Sequence, residues 1–216
     1  MPVMSKVERA FCRSASWRRF TGRVVLPWVL GDLTLEGEVL EVGSGSGANA
    51  RAILERHAEI QLTATDLDPV MVASARRRLG MFGDRVSVSE ASVTALPFDD
   101  GHFDMVVSLL MLHHVIEWQA ALEEIVRVLR PGGTLVGYDL AAGRIARAIH
   151  VVDRSPHRLI TPQALDAGLV AAGFDVVDVR TGAGGTITRF SASTSAAEVP
   201  PSSRGNVHRQ ESLDAP

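Results

Sequence analysis

Val39-Leu40-Glu41-Val42-Gly43-Ser44-Gly45-Ser46-Gly47-Ala48-Asn49-Ala50 is the stretch on which the fold turns. A short apolar run ends in Glu41 and Val42, and glycine then falls at every second position, at Gly43, Gly45 and Gly47. Ala48, Ala50, Ala52, Ile53 and Leu54 follow with the composition of a helix. Strand, glycine turn and helix in that order open a doubly wound α/β fold, in which ligands sit beyond the carboxyl ends of the strands where the strand order reverses. Glycine suits such a turn because it tolerates positive φ and, lacking Cβ, lets backbone touch a ligand. Gly43-x-Gly45-x-x-Ala48 also satisfies the dinucleotide fingerprint with alanine in third place, so the turn alone leaves the ligand open.

Downstream, β and α segments alternate. Leu62-Thr63-Ala64-Thr65 reads as a strand ending at Asp66, and Pro69 stands in the first turn of a helix that runs to Leu79 before Gly80. Val86-Ser87-Val88 is a third strand, and Phe103 to Leu110 a fourth, apolar enough to be buried on both faces. Ala120 to Leu129 reads as an amphipathic helix stopped by Pro131-Gly132-Gly133, and Thr134 to Tyr138 as a fifth strand. Pro162 to Ala172 is a helix closed by Gly173, after which Phe174 to Val179 and Thr186 to Ser191 flank a glycine-rich turn as a hairpin. The expected fold is therefore α/β: a doubly wound, Rossmann-like seven-stranded sheet, mostly parallel, with one antiparallel strand in a C-terminal hairpin.

The 216 residues suit one domain with a full core. We expect an N-terminal cap segment over 1–35, the main domain over 36–195 and a disordered tail over 196–216, where Ser, Ala, Pro and charges replace apolar periodicity. The cap carries Lys6, Arg9, Arg13, Arg18, Arg19 and Arg23 against Glu8 and Asp32, with Val7, Phe11, Ser14 and Trp17 near helical spacing. It reads either as a mobile basic cover over a ligand site or as an amphipathic helix with a solvated charged face. Leu26-Pro27-Trp28 is expected to interrupt any helix there, since proline lacks the amide hydrogen. The net charge of -3 gives no general reason for a nucleic-acid or membrane partner. The single cysteine, Cys12, excludes an internal disulfide and a cysteine-rich zinc site, and with no signal peptide or bilayer-length apolar run it points to the cytoplasm.

Asp66 lies about 20 residues beyond the glycine turn, where an acid can accept hydrogen bonds from ribose hydroxyls. The same position also allows a carboxylate that simply begins the Asp66-Leu67-Asp68-Pro69 turn.

Taken in order, Glu41-x-Gly43-x-Gly45-x-Gly47, Thr65-Asp66-Leu67-Asp68-Pro69, Leu96-Pro97-Phe98, Phe103-Asp104-Met105-Val106-Val107-Ser108 and Arg127-Val128-Leu129-Arg130-Pro131-Gly132-Gly133 give the chain a family likeness. It resembles the class I S-adenosylmethionine-dependent methyltransferases, in the type 11 group related to ubiquinone and menaquinone methyltransferases, over about Leu35 to Arg189. The resemblance implies S-adenosyl-L-methionine as cofactor and a small-molecule methyl acceptor. It implies that Glu41, Gly43, Ser44, Gly45 and Gly47 carry the cofactor's methionine part, that Asp66 holds its ribose and that Leu67 packs on its adenine. The family usually has an aspartate contacting the adenine amino group where this chain has Ser92, next to Val93; a serine accepts that bond without charge, or Glu90 substitutes. Ser108 matches a position whose backbone meets the cofactor's amino group.

Methyl transfer from a sulfonium is an in-line displacement that needs no metal, so alignment and a dry pocket carry most of the catalysis. A hydroxyl acceptor also gains from a base near neutral pKa, and His113 and His114 follow the fourth strand directly. Each reads either as that base or as a ring that packs or caps. Neighbouring side chains on a regular backbone diverge, so at most one is expected to face the methyl group. Asp139 to Ile160 carries Arg144, Arg147, His150, Arg154, His157 and Arg158, in a stretch that covers the acceptor in such folds; its bias fits an acidic acceptor or a solvated face. Competing readings are an NAD(P)-dependent oxidoreductase using the glycine turn, an RNA methyltransferase using the basic N-terminal arm, and an inactive partner protein of the same fold.

Overall fold

The computed structural model describes residue 14 and residues 19–143 and 158–196. The tail expected beyond 196, the helical spacing of Val7, Phe11 and Trp17, and most of the basic stretch after the fifth strand lie outside the described residues.

Seven strands form one sheet. They are β1 (Glu38–Val42), β2 (Gln61–Asp66), β3 (Val86–Glu90), β4 (Phe103–Leu109), β5 (Leu129–Leu140), β6 (Val176–Gly182) and β7 (Ile187–Ser193), in the order β3-β2-β1-β4-β5-β7-β6. Strands β1 to β5 are parallel, and β7 runs antiparallel to both neighbours. The order reverses between β1 and β4, which makes their carboxyl ends the expected crevice.

Helices cover both faces, so the central strands are apolar on both sides and alternate residues serve separate cores. On one face Val39, Met105, Val107 and Val136 pack with Val29 of α1 (Leu26–Leu30), Ile53 of α2 (Ala48–Arg56) and Leu79 of α3 (Pro69–Leu79). On the other Leu40, Val42, Val106, Leu135 and Phe190 meet Leu122 and Ile125 of α4 (Trp118–Val128) and Leu165 and Leu169 of α5 (Pro162–Ala172). Each fully buried side chain of this size contributes about 1.5–3 kcal/mol. Helix starts follow local chemistry. The Asp68 carboxylate accepts from the Val70 amide at 2.8 Å and the Thr161 hydroxyl from the Ala164 amide at 3.1 Å, each just before a proline in the first turn.

Two local expectations fail. Pro27 does not interrupt the N-terminal helix: a π-helical turn, Thr21–Val25, runs straight into α1 with helical backbone at both junction residues. The widened turn sends the Leu26 amide back to the Thr21 carbonyl, and Pro27 occupies a first-turn position where no donor is required. Pro131-Gly132-Gly133 likewise lies inside β5, which begins at Leu129, and the helix before it ends at Val128. Register shifts between Phe103 and Met105 opposite this segment, so the Pro-Gly-Gly run forms an irregularity in the strand and not a linker.

Candidate active site

Parallel register sets the site's floor. Val42 pairs with Thr65 on one side and with Ser108 on the other, and Ser108 pairs with Gly137, so four strands come into register at one level. One step further, Asp66, the Gly43–Gly47 turn, Leu110, Tyr138 and Asp139 stand along a common edge. A small cavity there is lined by Ser44, Gly45, Ser46, Ala48, Asn49, Leu109, Leu110 and Tyr138.

Gly43, Gly45 and Gly47 adopt φ of +66°, +55° and +74°, the left-handed region that favours glycine. Their surroundings differ. A Cβ on Gly47 would press on Ala75 and on the Leu79 side chain, each at 3.1 Å, whereas a Cβ on Gly45 would meet nothing within 4 Å. Gly47 is therefore needed for packing and Gly45 presents open space. Gly45→Val should destabilise the unliganded protein by about 1–2 kcal/mol through backbone strain alone, yet weaken cofactor binding more than that. Gly47→Val should instead unfold the protein at lower urea. Normal cofactor affinity in Gly45→Val, measured by calorimetry, would remove the turn from the cofactor site.

Asp66 ends β2 with both carboxylate oxygens engaged. Oδ2 accepts from the Gly45 amide and Oδ1 from the Asp68 amide, each at 2.8 Å. Burial raises its pKa, and the amides of Asp68 and Gly45 oppose the rise. The turn reading of Asp66 is thus realised, and it is compatible with a ribose: each oxygen retains a second lone pair. Bonding to Gly45 also ties the acid to the glycine turn.

Glu41 is nearly fully buried, and neither of its oxygens closes a hydrogen bond. Its pKa is raised to about 8, first by burial and then by repulsion from Asp66, against weaker help from the Ala50 amide and the Asn49 side chain. A buried carboxyl met only weakly by the Ala50 amide and the Asn49 side chain calls for a cation or a further donor. The ammonium group of S-adenosylmethionine is such a cation, and the unpartnered hydroxyls of Ser44 and Ser108 add buried polar atoms on the same edge. The residues present therefore fit the expected cofactor.

The sign of the Glu41 effect is testable. Below pH 4.5 the carboxyl is protonated whether folded or unfolded. Between 4.5 and about 8 only the unfolded chain ionises, so stability falls as pH rises and levels off above about 8. The full cost is on the order of 3–5 kcal/mol. Urea melts of the unliganded protein should show this fall between pH 5 and 8, and Glu41→Gln should flatten it. An unchanged slope in Glu41→Gln would place the titration elsewhere.

Ser92 turns its hydroxyl to Thr94, with oxygens 2.9 Å apart, in a short turn closed by the Ala95 amide on the Ser92 carbonyl at 3.0 Å. Val93 is buried in the α4 and α5 core, and Leu67 is half-buried beside Asp66. Glu90 is exposed at the end of β3.

His113 and His114 lie in a three-residue 3₁₀ turn, Leu112–His114, just past β4. The expectation that their rings diverge does not hold: the centroids are 4.0 Å apart at a tilt of 42°. Such a turn rotates successive side chains by about 120° and not by the half-turn of a strand. His113 is buried and its Nδ1 bonds the Oδ1 of Asp139, while its backbone amide donates to Asp139 Oδ2 at 2.9 Å. Asp139 is itself buried. The Arg158 amide donates to the His113 carbonyl at 2.7 Å, which pins the turn from the far side of the chain. His114 is only half-buried.

Asp139 was not among the residues read from sequence. It sits in β5, 26 residues from His113, and no local spacing links them. Leu110 was also missed. It takes φ of +57°, unusual for a branched residue, and its amide bonds the Tyr138 carbonyl at 2.8 Å. Among the described residues, no group of three or more His, Cys, Asp or Glu side chains could hold a metal ion, and no helix is long and apolar enough to cross a membrane.

The chain has relatives among known proteins, and these bear on its fold and family. Residues 40–137 match the family described as methyltransferase domain. The chain is 32% identical over 189 residues to a demethylmenaquinone methyltransferase of Clavibacter sepedonicus, covering 76% of this chain and 74% of that one. It is also 32% identical over 192 residues to a malonyl-[acyl-carrier protein] O-methyltransferase of Geobacter sulfurreducens, covering 81% and 72%. In fold it is similar to the crystal structure of a SAM-dependent methyltransferase from Aquifex aeolicus, with a TM-score of 0.69 and 21% identity over 87% of this chain and 97% of that one.

Proposed function

Since this chain belongs to the class I S-adenosylmethionine-dependent methyltransferases, in the group related to the ubiquinone and menaquinone enzymes, we propose that it methylates a small acceptor whose proton is removed by His113. The chain transfers a methyl group from S-adenosyl-L-methionine to a small-molecule acceptor. Membership also sets aside the oxidoreductase reading of the glycine turn. One relative is named for demethylmenaquinone and another for malonyl-acyl-carrier protein, so membership leaves the acceptor to be argued from the pocket.

The cofactor, when bound, supplies an electrophilic methyl group on sulfur. In the proposed arrangement Glu41 takes its ammonium, the backbone of Gly43 to Gly47 bears on its methionine part with Ser44 and Ser108, Asp66 accepts from its ribose, and Leu67, Ser92 and Val93 border its adenine. Orientation of this kind is worth about 7–11 kcal/mol in the best cases.

The observation that carries the base is the buried pair of His113 and Asp139. An acid on Nδ1 holds the imidazole in the tautomer whose Nε2 is an acceptor, and it stabilises the ring once protonated. A hydroxyl acceptor of neutral or high pKa gains most from such a pair. Asp139 touches no reacting atom in this scheme and acts by positioning His113.

Thermal shift separates this reading from its rivals. At about 100 times its Kd, S-adenosylhomocysteine should stabilise the protein by about 2.7 kcal/mol, and NADH should not. Turnover of labelled S-adenosylmethionine over a panel of phenols, alcohols and carboxylates then tests activity. Cofactor binding with no turnover on any of them would favour the inactive partner protein, and a shift with NADH alone would overturn the assignment.

A further inference from the structure

Beside the small cavity of the methyl-transfer site, sharing only Ala48 with it among the described residues, lies a groove of about 560 Å³. Among the described residues it is lined by Arg19, Arg23, Arg51, Arg56 and Arg78, by one acid, Glu55, and by Gly22, Ala48 and Ala52. These residues come from three elements: the N-terminal segment with its π-helical turn, the outward face of α2, and the end of α3. Gly22 meets α2 closely, since a Cβ there would lie 3.4 Å from that of Ala52.

Among the described residues little negative charge is on hand. Arg51 pairs with Glu55 at 2.7 Å on the exposed rim. Arg56 spends its donors on the carbonyls of Ala52 and Gly22, at 2.9 and 2.5 Å, which leaves its charge unbalanced. Arg19 and Arg23 make no ion pair among the described residues. Arg78 donates to the hydroxyl of Ser46 at 2.6 Å and to its carbonyl, which ties this wall of the groove to the glycine turn. The protein as a whole is negative, with 25 acidic against 22 basic residues.

Like charges gathered in a concave site repel one another and focus a positive potential on the space between them. Guanidinium groups present paired donors that match the oxygens of a phosphate. A concave groove with several such groups spread around it fits a compact ligand with more than one phosphate charge better than a flat lipid surface. We infer that this groove is a binding site for a diphosphate-type anion, either inorganic or as the terminal group of a small phosphate ester.

The test titrates inorganic pyrophosphate into the full chain by calorimetry at low salt, beside arms with ADP and with phosphatidylglycerol vesicles. Saturable one-site binding of pyrophosphate is expected, and tighter binding of ADP would assign the site to a phosphate ester. The double variant Arg19→Gln/Arg23→Gln should weaken binding at least tenfold without changing the melting temperature. Should that variant misfold, Arg51→Gln is the second probe and should weaken binding severalfold. Pyrophosphate affinity equal in the native protein and the folded variants, no binding at all, or binding to vesicles alone would each overturn the site.

Discussion

His113→Gln is expected to lower kcat on a hydroxyl acceptor by about 10²–10⁴, with cofactor affinity held within a few fold. Glutamine suits the test because its side-chain amide can still donate to Asp139, so the buried carboxylate keeps a partner, while it cannot accept a proton at neutral pH. Asp139→Asn should give a smaller loss and move the pH–rate profile, since the imidazole then lacks the anion that fixes its tautomer. A residue that merely packed would change stability and leave that profile alone. His114→Gln should keep near-normal turnover, because in this scheme the proton passes to the buried His113, against whose ring the half-buried His114 packs at 4.0 Å. The acceptor decides how the result is read. An already ionised phenol or carboxylate needs no base, so the decisive substrate is an aliphatic alcohol. A fully active His113→Gln on such an alcohol would end the base role and leave alignment as the mechanism.

Asp66→Ala should weaken S-adenosylmethionine by about 2–4 kcal/mol, roughly 30- to 800-fold, through loss of charge-assisted bonds to the ribose. Part of that loss is expected to come from the glycine turn, whose Gly45 amide leans on the same carboxylate. Asp68→Ala separates the two. It removes the α3 cap and should cost about 1 kcal/mol of stability, with little effect on the cofactor. Because burial raises the Asp66 pKa, affinity should also fall earlier in acid than an exposed aspartate would allow. Unchanged affinity in Asp66→Ala, measured by calorimetry, would remove the residue from the cofactor site.

What could be read from sequence divides along a physical line. The strand ending at Val42, the helix from Pro69 to Leu79 and the helix from Pro162 to Ala172 were legible because their signals are local: an apolar run, a capping side chain, a proline in the first turn, a glycine after the last. The hairpin was legible from its glycine-rich turn, and with it the antiparallel strand. Asp139 was not legible as the partner of His113, since only the pairing of β4 with β5 brings the two together. The pairing of Arg78 with Ser46 is of the same kind, joining residues 32 apart. Pro27 and Pro131-Gly132-Gly133 misled for a different reason. Breaker residues report what a regular helix or strand cannot hold, and these two sites are irregular, one just after a π-turn and one at a register shift.

The place of β7 has a consequence for synthesis. Among the described residues it is the last strand, yet it sits between β5 and β6, with β5 next to the centre of the sheet. A ribosome delivers strands in order, so β5 waits with one edge unpaired while the helix of 162–172 and β6 emerge. Its bare amides and carbonyls are a template for another nascent chain until Ile187–Ser193 arrives. Antiparallel entry from a hairpin with β6 shortens that wait, because the partner that delivers β7 is only four residues of turn away. Stalled or truncated chains that stop before residue 187 should therefore collect in aggregates even though the whole glycine-loop half of the fold has already been made.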